Sequence, residues 1–343
     1  MTVDVRDRVL GCLLGGALGD SVGWPVEFSS QDSLDLQFPS GLAVPDGPLH
    51  PTDDTQMTLF SVAALIDHHA YGTDLQSAAQ RAYRGWLRTQ TLSEEPTGRG
   101  VWLLDQQVLY QQRGPGTTCL TALRSSAPVA ESKGCGTTMR TAPAGLAGLA
   151  DPFAAGWQLS APTHGHPTGL VAGAAMAWLC ASLMSGASLL DAATQLAGAL
   201  RHAVDGGETS AALSRALSLH QEGLRPSRND MPLVGAGWVA EEALAVGVFC
   251  ALNAEDFKTG VIAAADHSGD SDSTASVCGQ LLGVMWGQQA LPADWLAVLE
   301  LGDIVAQVAE DLVLVHHGQL PERVLRRYPS RDAVLDRSAR AGR

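Results

Sequence analysis

The chain has 343 residues, 45% of them apolar and 17% charged, with a net charge of −14 at pH 7. That is enough apolar side chain for a substantial core, and the acidic balance argues against nucleic-acid phosphates or an anionic membrane as partners. Cys12, Cys119, Cys135, Cys180, Cys250 and Cys278 form no C-x-x-C pair and no zinc spacing, so they read as small buried hydrophobes in a reducing compartment.

The N-terminus, MTVDVRDRVL, lacks the basic-then-apolar pattern of a secretory signal. No stretch reaches about 18 uninterrupted apolar residues, so a cytoplasmic protein is expected. VLGCLLGGAL (9–18) sets Val9, Leu13 and Ala17 on one helix face, while Gly11, Gly15 and Gly19 recur every fourth residue on another. Such a smooth face admits close helix packing, and the apolar run ends at Asp20, too early for a membrane dimer motif. GDSVGWPVEF (19–28) reads as a helix end followed by Asp20, Pro25 and Glu27. PTDDTQMTLF (51–60) opens a strongly apolar helix over 55–69, in whose interior Thr55 has no ligand role.

Further helical periodicity covers 75–88, 169–184, 189–204, 240–252 and 274–289, with apolar spacing through 295–315. Proline and glycine clusters at 39–51, 93–100, 113–117, 141–168 and 224–237 read as loops, with Glu94 and Glu95 solvated. Trp86, Trp102, Trp157 and Trp178 read as core packing. Strand signals are scarce. The expectation is one compact all-α domain over residues 1–330, followed by a polar C-terminal tail at 331–343.

Within DHSGDSDSTASVCGQLLG (266–283), Asp270 and Asp272 stand one residue apart between a glycine and several hydroxyls. Like charges that close raise each other's pKa unless a cation sits between them. A solvated turn or a helix cap is the plainer reading, but a cap needs one such residue. Thr52-Asp53-Asp54-Thr55 has four in a row before its own apolar helix, and hard cations such as Mg²⁺ take oxygen ligands. Two stretches of the same pattern favour a metal site. An EF-hand loop starting at Asp270 would need Gly and Glu where Ala275 and Leu281 stand. The D-x-D-x-T pattern of aspartate-nucleophile phosphatases lacks its downstream Lys, since none follows Lys258.

GALGDSVGWPVEF, TDDTQMTL and GDSDSTASVCGQLLG together resemble the three signature blocks of the ADP-ribosylglycohydrolase family. RGPGTTCLTAL (113–123), SKGCGTTMRTAPAGL (132–146) and THGHPTGL (163–170) resemble further blocks of its bacterial members, in the same order. The resemblance spans about residues 8 to 287. It implies an all-α, compact orthogonal multi-helix bundle with a dinuclear cleft holding two Mg²⁺, or Mn²⁺ in some members. Thr52, Asp53 and Asp54 would supply one set of metal ligands, and Asp270, Asp272 and Ser273 the other, with Ser273 where many relatives carry Thr. Glu27 matches the acid/base or metal-controlling glutamate. Gly134, Cys135 and Gly136, with Met139 and Arg140, match the loop around the diphosphate and distal ribose, and Cys135 replaces an Asn found in several relatives. His164 matches a histidine on the phosphate side, whereas His166 reads as a loop residue and His267 as a residue orienting the turn before Gly269.

The implied activity is hydrolysis of the glycosidic bond between ADP-ribose and a modified side chain, most simply arginine, whose guanidinium suits an acidic cleft. The partner is then an ADP-ribosylated protein or a small ADP-ribose conjugate, and a monomer is expected. The alternatives are a hydrolase of serine-linked or other ADP-ribose conjugates, or of free nucleotides, and a non-catalytic ADP-ribose-binding member of the fold.

Overall fold

The computed structural model describes residues 4–44, 47–93 and 102–330. Glu94, Glu95 and the 331–343 tail lie outside the described residues. Among those described there are sixteen α-helices and no strand; backbone bridges join only Leu49 to Leu299, Val129 to His164 and Gly134 to Val239.

In chain order, α1 (Val5–Gly23) is capped by the Asp4 carboxylate, which accepts from the Asp7 amide. It runs past Asp20 instead of ending there, and a single turn (Trp24–Val26) carries the chain to Glu27. After α2 (Gln31–Gln37) come α3 (Asp53–Tyr71) and α4 (Leu75–Thr89). α3 stops at Gly72, whose left-handed φ of 65° closes its last turn. α4 buries Ala79, Tyr83 and Trp86 at helical spacing and leaves its arginines outward.

Next come α5 (Thr117–Ser125), α6 (Ala142–Leu146) and α7 (Pro152–Ser160). The last two fall in the 141–168 stretch that the sequence suggests is loop. Each has a proline in its first turn, where the missing N–H costs nothing, so these prolines start helices and do not break them.

α8 (Pro167–Met184) and α9 (Leu189–Leu200) lie close to their expected positions. α10 (Gly207–Gln221) and α12 (Phe257–Ala265) flank α11 (Ala240–Asn253) and are not among the helices that the sequence periodicity indicates. α13 (Ser271–Trp286) follows, and the 295–315 stretch divides into α14 (Ala293–Leu296) and α15 (Gly302–His316) before α16 (Glu322–Arg327). One core runs from Val9 to Tyr328, and Trp86 is fully enclosed in it; Trp102, Trp157 and Trp178 pack against its rim. Two helical stretches, Val5–Val26 and Pro167–Met184, are apolar and long enough to cross a membrane by composition, but 89% and 72% of those windows are buried inside the fold.

The contact that positions the site is α1 against α13, packed antiparallel along the glycine face. A Cβ on Gly11, Gly15, Gly19 or Gly23 would lie 2.4, 2.4, 2.0 or 2.2 Å from the carbonyl oxygens of Gly283, Gly279, Ala275 and Ser271. Gly279 and Gly283 answer from the other side, with 2.2 and 2.0 Å to Gly15 O and Gly11 O. Backbone therefore meets backbone, which only glycine permits. The approach brings the end of α1, with Asp20 and Glu27, against the start of α13, with Asp270 and Asp272.

Candidate active site

The acidic residues meet at the N-termini of α3 and α13. Thr52 caps α3, its hydroxyl accepting from the Asp54 amide at 3.3 Å. Asp53 and Asp54 are thereby freed from capping. Asp270 occupies the cap position of α13 but makes no side-chain capping bond. These carboxylates are surplus to what the helix ends require.

The Asp53 carboxylate accepts from the Gly116 amide at 3.1 Å, while Asp54 Oδ2 and Glu27 Oε2 are buried without a hydrogen-bond partner. Oxygens of Glu27, Asp270 and Asp272 lie within 4.8 Å of one another. Thr52 Oγ1 reaches Asp272 Oδ2 at 3.5 Å, and the Ser273 amide donates to Asp272 Oδ1 at 2.8 Å.

Crowding and burial push every one of these carboxyls up. Burial dominates at Asp53 and Glu27, each raised to about 8, with the negative charges of Asp270 and Asp20 adding to both. Asp54 and Asp272 also rise well above the usual carboxylate range, and Asp270 rises with them, all chiefly through burial.

A cleft of about 460 Å³ opens over this cluster. Glu27, Asp53, Asp54, Asp270, Asp272 and Ser273 line it together with Gly134, Cys135, Gly136, Met139 and His164, and the Cys135 thiol lies against Asp270 and Ser273 where the two groups meet. The Gly134 segment is tied to the start of α11: the Cys135 amide donates to Trp238 O at 3.3 Å and the Ala240 amide to Lys133 O at 2.8 Å. Gly136 has to be small, because a Cβ there would lie 3.1 Å from both Cys119 Sγ and His164 Cε1.

Of the residues expected in the cleft, Arg140 stands elsewhere, while Thr52 stays at the acidic cluster without lining the cleft. Thr52 is fully buried there, within reach of Asp272. Arg140 is fully buried behind the Gly134–Gly136 segment and does not line the cleft. Its segment, Cys135–Arg140, is a tight three-per-turn helix. Gly136 and Met139 share the face toward the cleft, which puts Thr137 and Arg140 on the face away from it. There Thr137 donates to Gly169 O, and the Arg140 guanidinium stacks 4.5 Å from the Tyr83 ring.

A sequence profile of the ADP-ribosylglycohydrolase family matches residues 1–322. The chain belongs to the ADP-ribosylglycohydrolase family. Among proteins similar to it, the ADP-ribosyl-(dinitrogen reductase) glycohydrolase of Rhodospirillum rubrum is 27% identical over 319 residues, covering 87% of this chain and 92% of that protein. The ADP-ribosylarginine hydrolase Tri1 of Serratia proteamaculans is 24% identical, covering 89% and 79%. A solved structure described as an ADP-ribosylglycohydrolase-related protein complex superposes with a TM-score of 0.61 at 22% identity, covering 92% of this chain and 99% of that one. That likeness speaks to the fold.

The sequence reading of this ADP-ribosylglycohydrolase assigns no role to Asp20. Fully buried in the last turns of α1, it accepts from the Thr52 amide at 3.0 and 2.9 Å through its two oxygens. The Thr55 amide and hydroxyl reach it at 3.1 and 2.5 Å. Asp20 thus fixes the start of α3, and burial raises it to about 6 against those hydrogen bonds.

An aromatic pair that the sequence motifs do not indicate stands at the cleft mouth. Phe28 and Trp238 stack with ring centroids 5.1 Å apart, and Phe28 holds a φ of 64°, unusual for a bulky residue. A large apolar residue next to Glu27, before the Ser29–Ser30 break, was the available signal. The two other histidines are structural. His166 caps α8 by accepting from the Thr168 amide, and His267 is bonded to Thr274 Oγ1 at 2.9 Å, bracing the turn before α13.

Proposed function

We propose that this glycohydrolase cleaves the bond between ADP-ribose and an arginine side chain, with divalent cations, two Mg²⁺ or Mn²⁺, held by the acidic side of the cleft. The observation that carries the reading is the pair of orphaned oxygens, Asp54 Oδ2 and Glu27 Oε2, buried among carboxylates that the helix ends do not need. Such a donor set, all hard oxygen, fits Mg²⁺. Thr52, Asp53 and Asp54 from α3 and Asp270, Asp272 and Ser273 from α13 would hold the ions. When bound, they supply Lewis acidity and a template for the ribose diol and a water.

The remaining work falls to the chain itself. Gly134 and Gly136 carry no side chain at their positions in the cleft lining, so a diphosphate can approach the backbone there. Glu27 is the least buried of the clustered acids and follows a rigid Pro-containing turn, which suits it to exchange a proton with the water or the leaving group. Carboxylates around the anomeric carbon stabilise positive charge as the bond breaks. A guanidinium leaving group, itself cationic, fits a cleft wall made of acids. The relative of Serratia proteamaculans named as an ADP-ribosylarginine hydrolase supports the same choice.

The test is a turnover panel of arginine-, serine- and base-linked ADP-ribose, each with Mg²⁺ and with excess EDTA. Arginine-linked substrate should turn over fastest, and only with the metal. Faster turnover of the serine-linked compound would move the assignment to that linkage, and full activity in EDTA would remove the cations from the reaction.

A further inference from the structure

Behind the Gly134–Gly136 wall lies a buried polar chain that the reaction as described above does not use. Arg140 is completely enclosed, and among the described residues no carboxylate pairs with it. Its Nη2 donates to Thr163 Oγ1 at 2.6 Å and to Leu159 O at 3.3 Å, and its Nη1 reaches Cys119 Sγ at 3.3 Å. Thr163 Oγ1 in turn lies 2.8 Å from His164 Nδ1.

A hydroxyl has a single proton to give, and the geometry decides where it goes. The rival acceptors are Ser160 O, 3.3 Å from Thr163 Oγ1, and the Cys119 sulfur, a weak acceptor that already takes the bond from Arg140 Nη1. That carbonyl already accepts from the Thr163 and His164 amides at 3.2 and 3.3 Å, which occupies both lone pairs. His164 Nδ1 is nearer and otherwise unpaired. The Arg140 bond polarises the hydroxyl, which strengthens it as a donor. A proton on Nδ1 would instead face the side from which the guanidinium charge acts.

We infer that Arg140 and Thr163 are positioning residues that hold His164 in the Nε2–H tautomer, making it a neutral donor to an anionic oxygen lying against the Gly134–Gly136 segment. The imidazole sits where such a ligand would pass: His164 lines the cleft, and its Nε2 is 3.5 to 3.6 Å from where a Cβ on Gly136 or Gly134 would be. In the opposite tautomer a lone pair would face the anion. Burial, together with the Arg140 charge, holds the imidazole near a pKa of about 3, so it stays uncharged at neutral pH. The anion's identity as the diphosphate of ADP-ribose rests on the proposed function; the tautomer does not.

The experiment is a long-range ¹H–¹⁵N spectrum of the labelled full chain at neutral pH, with His164 assigned by comparison with His164→Gln, alongside a titration with ADP-ribose. The wild-type spectrum should show protonated Nε2 and bare Nδ1. Thr163→Val keeps the shape and loses the hydroxyl; it should populate the other tautomer and weaken ADP-ribose binding about tenfold, the scale of one hydrogen bond to a charged group. Thr163→Ser should restore both. A wild type with Nδ1–H, or a folded Thr163→Val protein in which either readout stays at the wild-type value, overturns the inference. The wild-type spectrum needs no variant to fold. Failure of the wild type to bind ADP-ribose would count against the functional reading alone, and the tautomer would still decide the relay.

Discussion

Replacing Asp54 by Asn should remove turnover in the presence of Mg²⁺ and, in chelated protein, raise stability at pH 8. The carboxyls of this cluster titrate high in the fold, Asp53 at about 8, whereas in the unfolded chain they ionise near their ordinary value of 3.8. Below that value both states keep the proton and nothing changes. As pH rises, the unfolded chain gives up its protons first, so folding is progressively disfavoured until the folded carboxyl ionises at about 8. His164 and His267, depressed by burial to about 3 and 4, work in the opposite sense, but only below the ordinary imidazole value of 6.5. Between pH 6.5 and 8 the carboxyls therefore act alone. Asp53, only 4% exposed, should by itself lose about 2 kcal/mol across that window, roughly 3 °C in melting temperature for a chain of this size. The amide introduced by Asp54→Asn would have no proton to lose and would relieve its neighbours of one charge. Thermal unfolding in EDTA at the two pH values should show a wild-type decline that Asp54→Asn flattens. Mg²⁺ should lift the wild type most at the higher pH and the variant little. If Asp54→Asn melts below the wild type in EDTA at pH 8, the cluster is held by internal bonding and the reasoning from repulsion is wrong.

Other substitutions probe the remaining supports. Gly19→Ala would drive a Cβ to 2.0 Å from Ala275 O, so α1 and α13 must part; a loss of about 3 kcal/mol is expected in denaturant titration, and an unchanged midpoint would refute the close packing. Thr55→Ala removes the 2.5 Å bond to the buried Asp20 carboxylate and should cost about 1.5–3 kcal/mol, with Thr55→Ser recovering most of it; the helix-interior reading of Thr55 predicts almost no effect. Glu27→Gln keeps size and hydrogen bonding, so kcat on the arginine-linked substrate should fall about a hundred- to ten-thousandfold while ADP-ribose affinity by calorimetry stays within a small factor. Near-normal turnover would make Glu27 a turn residue.

What could be read from the chain follows from how strongly each feature constrains its neighbours. Glycines at every fourth position from Gly11 announce a helix that another backbone must touch, and the structure supplies Gly279 and Gly283 as the partners. Acids in excess of capping need announce a site, because burying like charges together is costly unless a cation or a retained proton offsets it. Prolines were harder: the same residue that ends a helix also starts one, and α6 and α7 were lost to that ambiguity. α10 and α12 were lost because their alanines, serines and glycines give weak periodicity, and packing on α11 and α13 decides their state.

Arg140 shows a different limit. The motif puts it within four residues of Gly136, and adjacency in sequence suggests a shared surface. The segment coils with three residues per turn, so positions 136 and 139 face the cleft while 137 and 140 face the core. Which wall a basic side chain serves depends on that local period, and a row of small residues between Gly134 and Thr141 does not declare it. An Arg sent inward without a carboxylate partner is costly unless hydroxyl, sulfur, carbonyl and ring faces share its charge. Thr163, Cys119, Leu159 and Tyr83 do so here, and they come from three helices and a turn that only the folded chain brings together.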